Sequence, residues 1–189
     1  MHELVVRNAT LVDGTGAPRK MADIAVDGST ISAVGTDIGS ARREIDAEGL
    51  LLTPGWVDIH THYDGQATWD PYLTPSSWHG VTTAVFGNCG VGFAPVRPGK
   101  ERYLIQLMEG VEDIPETVLA EGIDFRWESF EQYLDVLEAA PHILDIGAQV
   151  PHAALRFYAI GGRGADHAQR PTDDEIERMG FALESALRA

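Results

Sequence analysis

Pro54-Gly55-Trp56-Val57-Asp58-Ile59-His60-Thr61-His62-Tyr63-Asp64 is the stretch on which the reading of this chain turns. A short apolar run follows a Pro-Gly junction and ends in two histidines one residue apart. In a strand, residues i and i+2 face the same side. His60 and His62 therefore present two imidazoles in one direction at a strand's end. Such a pair can hold one divalent metal, typically zinc at about 2.0–2.1 Å. An H-x-H pair also occurs as an accident of the surface, and spacing alone leaves both readings open. The context favours the ligand reading, because the end of a strand is where a barrel carries its catalytic face.

Downstream, Val81-Thr82-Thr83-Ala84-Val85-Phe86 is a second strand-like run, and Gly87-Asn88-Cys89-Gly90-Val91-Gly92 follows it. The glycine-rich segment should open on the same face as His60 and His62. Cys89 is the single cysteine. A thiolate binds zinc strongly and can bridge two metals, while the plainer reading is a small buried hydrophobe. The glycines do not form a phosphate loop, since no Lys-Ser or Lys-Thr follows. They let the backbone turn tightly around the sulfur. Asn88 and Asp58 are candidates to orient ligands, and Asp58 could equally cap or brace its strand. His2 reads as a terminal surface residue, His79 as a helix end or loop, and His142 as structural. His167 sits in a polar, glycine-rich loop. His152, after Val150-Pro151, is a weaker candidate to face the site.

A third apolar run, 143–150, completes a set whose near-continuous hydrophobicity suits a parallel sheet covered on both faces. Helical segments lie between and after the runs. They are 101–110, 129–139 with Phe130, Tyr133, Leu134 and Leu137 at helical spacing, and a helix opened by Thr172-Asp173-Asp174-Glu175. The last carries a capping-box pattern, with Ile176, Met179, Leu183 and Leu187 as its apolar stripe. This rhythm indicates an α/β fold. Residues 1–53 differ: brief β-type runs at 4–6, 24–26, 31–34 and 50–52, separated by Asp-Gly and Glu-Gly turns, indicate a small β region. The expected division is 1–53 and 54–189.

The chain has 189 residues, 29 acidic and 14 basic, for a formal charge of −15, and is 44% hydrophobic. That composition is globular. One cysteine excludes an internal disulfide framework. The acid excess argues against nucleic acid or an anionic membrane as partner. No apolar run approaches the roughly 20 residues of a membrane helix, and no signal-peptide pattern opens the chain. A cytoplasmic protein is expected. Residues 101–138 hold eleven acids against Arg102 and Arg126. They read as a solvated helical surface, because the calcium-loop spacing is absent.

PGWVDIHTHYDGQ, TTAVFGNCGVGFAP and VEDIPETVLAEGIDFRWESFEQYLDVL at 111–137 together resemble the N-terminal part of D-aminoacylases, the N-acyl-D-amino-acid deacylases of the amidohydrolase superfamily. The VPHAALR stretch and the TDDEIERM helix also fit, so the resemblance covers essentially the whole chain. It implies the first three βα units of a metal-dependent (β/α)₈ barrel beside a small β-sandwich. It implies His60 and His62 as metal ligands and Cys89 as a zinc ligand where many relatives use a carboxylated lysine. One or two zinc ions, a small N-acyl amino acid substrate and hydrolysis of a linear amide follow from it. The general-base aspartate and two further histidines are expected beyond residue 189. A hydantoinase-like cyclic-amide hydrolase is the runner-up, disfavoured by Cys89. A non-catalytic binding protein of the same fold is the alternative from another class.

A (β/α)₈ barrel needs about 250 residues before any extra domain, and this chain has 189. The sequence therefore reads as a piece of a longer protein, inactive by itself. Three strands with open edges also predict that it aggregates or stays partly unfolded when expressed alone.

Overall fold

A computed structural model describes residues 1–112, 114–166 and 168–189. His167 and Asp113, the latter within the VEDIP motif, lie outside the described residues. Two compact units divide at Gly55/Trp56.

The first unit is one mixed sheet. Strands β1 (His2–Leu11), β2 (Lys20–Asp27), β3 (Thr30–Gly35) and β4 (Ala41–Asp46) lie in the order β3-β2-β1-β4, and the short β5 (Leu51–Leu52) also pairs with β1. β2 and β3 form a hairpin closed at Asp27–Thr30, where Gly28 takes a positive φ of 60°. That conformation strains any residue with a Cβ, which explains the Asp-Gly signal. β1 runs antiparallel to β2 and parallel to β4 and β5. One face buries Ala9 and Leu11 of β1 with Ala22 and Ile24 of β2, the other buries the paired Val5 and Ala25, and a register shift between Val6 and Ala9 interrupts the alternation of β1. Arg7 ties the sheet together through ion pairs to Asp23 (3.1 Å) and Glu44 (2.6 Å) and a hydrogen bond to the Ile38 carbonyl (2.7 Å). β4 is mostly charged, ARREID, and its alternation is too weak to read from sequence. His2, at the terminus, is tied to the sheet: its Nδ1 lies 2.6 Å from Asp27 Oδ2.

The second unit carries a three-stranded parallel sheet in the order β6-β7-β8, with β6 Trp56–Asp58, β7 Val81–Phe86 and β8 Asp145–Ala148. Helices α1 (Glu101–Glu112), α2 (Glu116–Gly122), α3 (Phe130–Ala139), α4 (His152–Ile160) and α5 (Asp173–Arg188) follow or connect these strands. Ala84 and Phe86 of β7 are fully buried in a core with Phe93, Leu104, Met108 and Tyr133. On β7 the Ala84–Phe86 face is covered, while Val81, Thr83 and Val85 remain half-exposed. The apolar run does not show this, because Val and Thr suit a strand whether or not their face is covered.

Side-chain capping sets the starts of α3 and α5. Ser129 and Thr172 both form complete capping boxes, with Gln132 and Glu175 reaching back to the N-cap backbone. The apolar stripe expected on α5 is not buried: Ile176 and Leu187 are mostly exposed, and Glu175 and Ala186 are the buried positions. α2 and α4 are helices that the sequence pattern does not mark. α4 starts directly after Pro151 and buries five of its nine residues, so it has no polar face to set a helical period. The acidic side chains of α1–α3 that are described lie exposed or half-exposed, as a solvated surface requires. No helix among the described residues is long and apolar enough to cross a membrane.

Candidate metal centre

β6 ends at Asp58, so His60 and His62 lie beyond the strand, in an irregular segment. Their convergence does not come from strand pleating. Between them Thr61 is pinned to the neighbouring strand: its N–H and its Oγ1 both donate to the Val85 carbonyl at 2.9 Å. Asp58 Oδ1 accepts from the His60 N–H at 3.1 Å, which braces the turn out of β6. The two imidazole rings then sit 5.6 Å apart, edge to face.

The thiol arrives from β7. Gly87 (φ 82°), Cys89 (φ 56°) and Gly90 (φ 74°) all lie in the left-handed region, and this folds the chain back at once after the strand. Gly87 is obligatory for a second reason. A Cβ there would stand 2.2 Å from the Gln149 carbonyl oxygen, so the chain leaving β8 passes too close for any side chain. Cys89 is exposed rather than a buried hydrophobe, and its Sγ lies 3.3 Å from His60 Nε2.

One donor atom from each of His60, His62 and Cys89 falls within 4.8 Å of the others. A tetrahedral ion with ordinary zinc–nitrogen and zinc–sulfur lengths separates such donors by roughly 3.5 Å. The donor set, two imidazoles and a thiol, therefore fits a divalent transition metal. Burial, with the charge of His60 second, pushes the His62 pKa down, in the direction of the neutral imidazole that a metal requires. Its Nδ1 is buried without a hydrogen-bond partner.

Asp64 is a functional candidate that the sequence does not single out. It is 2% exposed, and its Oδ2 has no partner. Burial pushes its pKa up to about 7, against the opposing pull of the Gly87 N–H. The Asp64 carbonyl accepts from Tyr133 Oη at 2.7 Å. No local pattern marks a lone aspartate as buried, because groups packed against it, Gly92 and Tyr133, come from far along the chain.

The other described histidines do not join the cluster. His142 Nε2 bonds the Ala67 carbonyl at 2.8 Å, a structural role. His79 ends a short 3₁₀ segment. His152 opens α4 beside Gly90 without entering the donor set.

Residues 43–188 match the model of the amidohydrolase family. The chain belongs to that family. It is 34% identical to a D-aminoacylase of Alcaligenes xylosoxydans xylosoxydans over 98% of its own length and 35% of the relative's. The crystal structure of a D-aminoacylase superposes over the whole chain and 37% of that structure, with 35% identity and a TM-score of 0.80. An N-acyl-D-glutamate deacylase from Bordetella bronchiseptica, solved with zinc and a phosphonate inhibitor, does so over 36% of its chain at 29% identity and a TM-score of 0.74. The chain thus spans about a third of the length of these family members. Its three-stranded parallel sheet with interspersed helices corresponds to part of an amidohydrolase (β/α)₈ barrel.

Proposed function

We propose that His60, His62 and Cys89 hold a divalent metal, zinc, in a hydrolase that cleaves the linear amide of N-acyl-D-amino acids. The observation that carries the reading is the meeting of two imidazoles and a thiol at the ends of adjacent parallel strands. The similarity to deacylases over nearly the whole chain supports the substrate class. A divalent cation supplies Lewis acidity toward water and toward an amide carbonyl. The chain's own contribution is placement. Thr61 holds the histidine segment against β7, Gly87 lets the strand turn, and burial favours the neutral form of His62. No carboxylate joins the three donors among the described residues. The proton transfers of hydrolysis therefore need a base outside the cluster, in the whole protein.

Elemental analysis of the purified protein, wild type and Cys89→Ser, tests the metal assignment. Zinc in the wild type and its loss in the variant are expected, and equal zinc in both overturns the role of Cys89. Assays of the whole protein on N-acetyl-D-amino acids, their L enantiomers and hydantoin test the reaction. Turnover of the D-amides supports it, whereas turnover of hydantoin alone establishes the cyclic-amide alternative.

A further inference from the structure

Three strand ends are tied together next to Cys89 by two side-chain amides. Asn88 Nδ2 donates to the carbonyl of Thr61 at 3.1 Å and to that of Val85 at 3.0 Å. Its Oδ1 accepts from Gln149 Nε2 at 3.1 Å. Thr61 lies between the two histidines, Val85 is near the end of β7, and Gln149 follows β8 directly. The Gln149 main chain is itself fixed, since its N–H donates to the Phe86 carbonyl at 2.9 Å.

The polarity of this chain of bonds is determined. Both groups facing Asn88 Nδ2 are carbonyls, which only accept. The Asn88 amide therefore cannot flip without aiming its oxygen at two other oxygens. Oδ1 must face Gln149, and residue 149 must supply a donor. Gln149 is exposed, and an exposed hydrogen bond of this kind adds little to stability. Its geometry matters in another way: it fixes the amide that joins the histidine segment to the residue preceding the thiol.

We propose that Gln149 is a positioning residue of the metal centre, acting through Asn88 to hold Cys89 in register with His60 and His62. The inference rests on the metal-centre reading above. It adds β8 as a third strand end to a site whose described donors come from the segments after β6 and β7.

The test is titration of the metal-free whole protein with cobalt(II), reading affinity by chelator competition and coordination by the thiolate-to-cobalt absorption band. Wild type, Gln149→Glu, Gln149→Met and Cys89→Ser are compared, with urea unfolding of each metal-free protein alongside. Glutamate at this position keeps the shape but turns an acceptor toward Asn88 Oδ1, and methionine keeps the length but offers no donor. Cobalt affinity is expected to fall roughly 10–100-fold in Gln149→Glu and less in Gln149→Met, with a shifted thiolate band and unchanged metal-free unfolding. Wild-type affinity and spectrum in Gln149→Glu overturn the inference while leaving the metal centre intact. A loss of affinity matched by an equal loss of metal-free stability also overturns it, because Gln149 is then merely structural. If the wild type itself gives no thiolate band, or gives one that Cys89→Ser retains, the metal-centre reading fails and takes the inference with it.

Discussion

Replacing Asp64 by asparagine should remove a large, pH-dependent cost from the metal-free protein. In the folded chain burial raises the Asp64 pKa from 3.8 to about 7. Between about pH 4 and pH 7 the folded state therefore keeps a proton that the unfolded state has released. Stability contributed by this group is fully present below the unfolded pKa and is lost as pH rises through the folded one. A shift of about three units, at 1.36 kcal/mol each, amounts to roughly 4 kcal/mol by about pH 8. The carboxylate is 2% exposed, so solvent screening discounts this little. Asparagine keeps the shape and an oxygen for the Gly87 N–H but does not titrate. Urea unfolding in the presence of a chelator, at several pH values from about 4.5 to 9, gives the difference in unfolding free energy between wild type and Asp64→Asn. That difference should move in favour of the variant by several kcal/mol across the range, since other titrating groups cancel. Parallel curves would show that Asp64 ionises as freely in the fold as out of it, and the reasoning from burial would fail.

Gly87→Ala should destabilise the chain by roughly 3 kcal/mol or more, because a positive φ of 82° and a Cβ 2.2 Å from the Gln149 carbonyl oxygen cannot both be relieved locally. Denaturant unfolding measures the loss, and a wild-type midpoint would refute the close approach of the chain after β8. Ser129→Ala removes one half of the α3 capping box and should cost about 1 kcal/mol, read from the same titration. Tyr133→Phe deletes the buried donor to the Asp64 carbonyl. It should lower stability by about 1–3 kcal/mol, and a neutral effect would show that water replaces the hydroxyl.

Much of this protein is written locally. Val81–Phe86 matches a strand residue for residue, since a β-branched run ended by Gly has few alternatives. The starts of α3 and α5 follow from Ser129 and Thr172, because a capping box is satisfied within four residues. His60, His62 and Cys89 are legible as donors by residue type and by their place after apolar runs. How they meet is not. The strand expected to align the histidines stops at Asp58, and Thr61 bonding across to Val85, 24 positions away, aligns them instead. The burial of Asp64 depends on distant groups such as Gly92 and Tyr133, and the role of Gln149 depends on β8 lying beside β7.

The sequence by itself determined the parts: which residues can lend a lone pair to a metal, where the chain turns, and which family it belongs to. Backbone conformation and hydrogen bonds within a few residues depend only on neighbours in the chain, so a sequence displays them. Tertiary structure alone decided that Cys89 is exposed 3.3 Å from His60, that a carboxyl two residues past His62 is dry, and that three strand ends are tied through two amides. Those properties depend on which distant atoms exclude water or offer a carbonyl, and no local pattern records them.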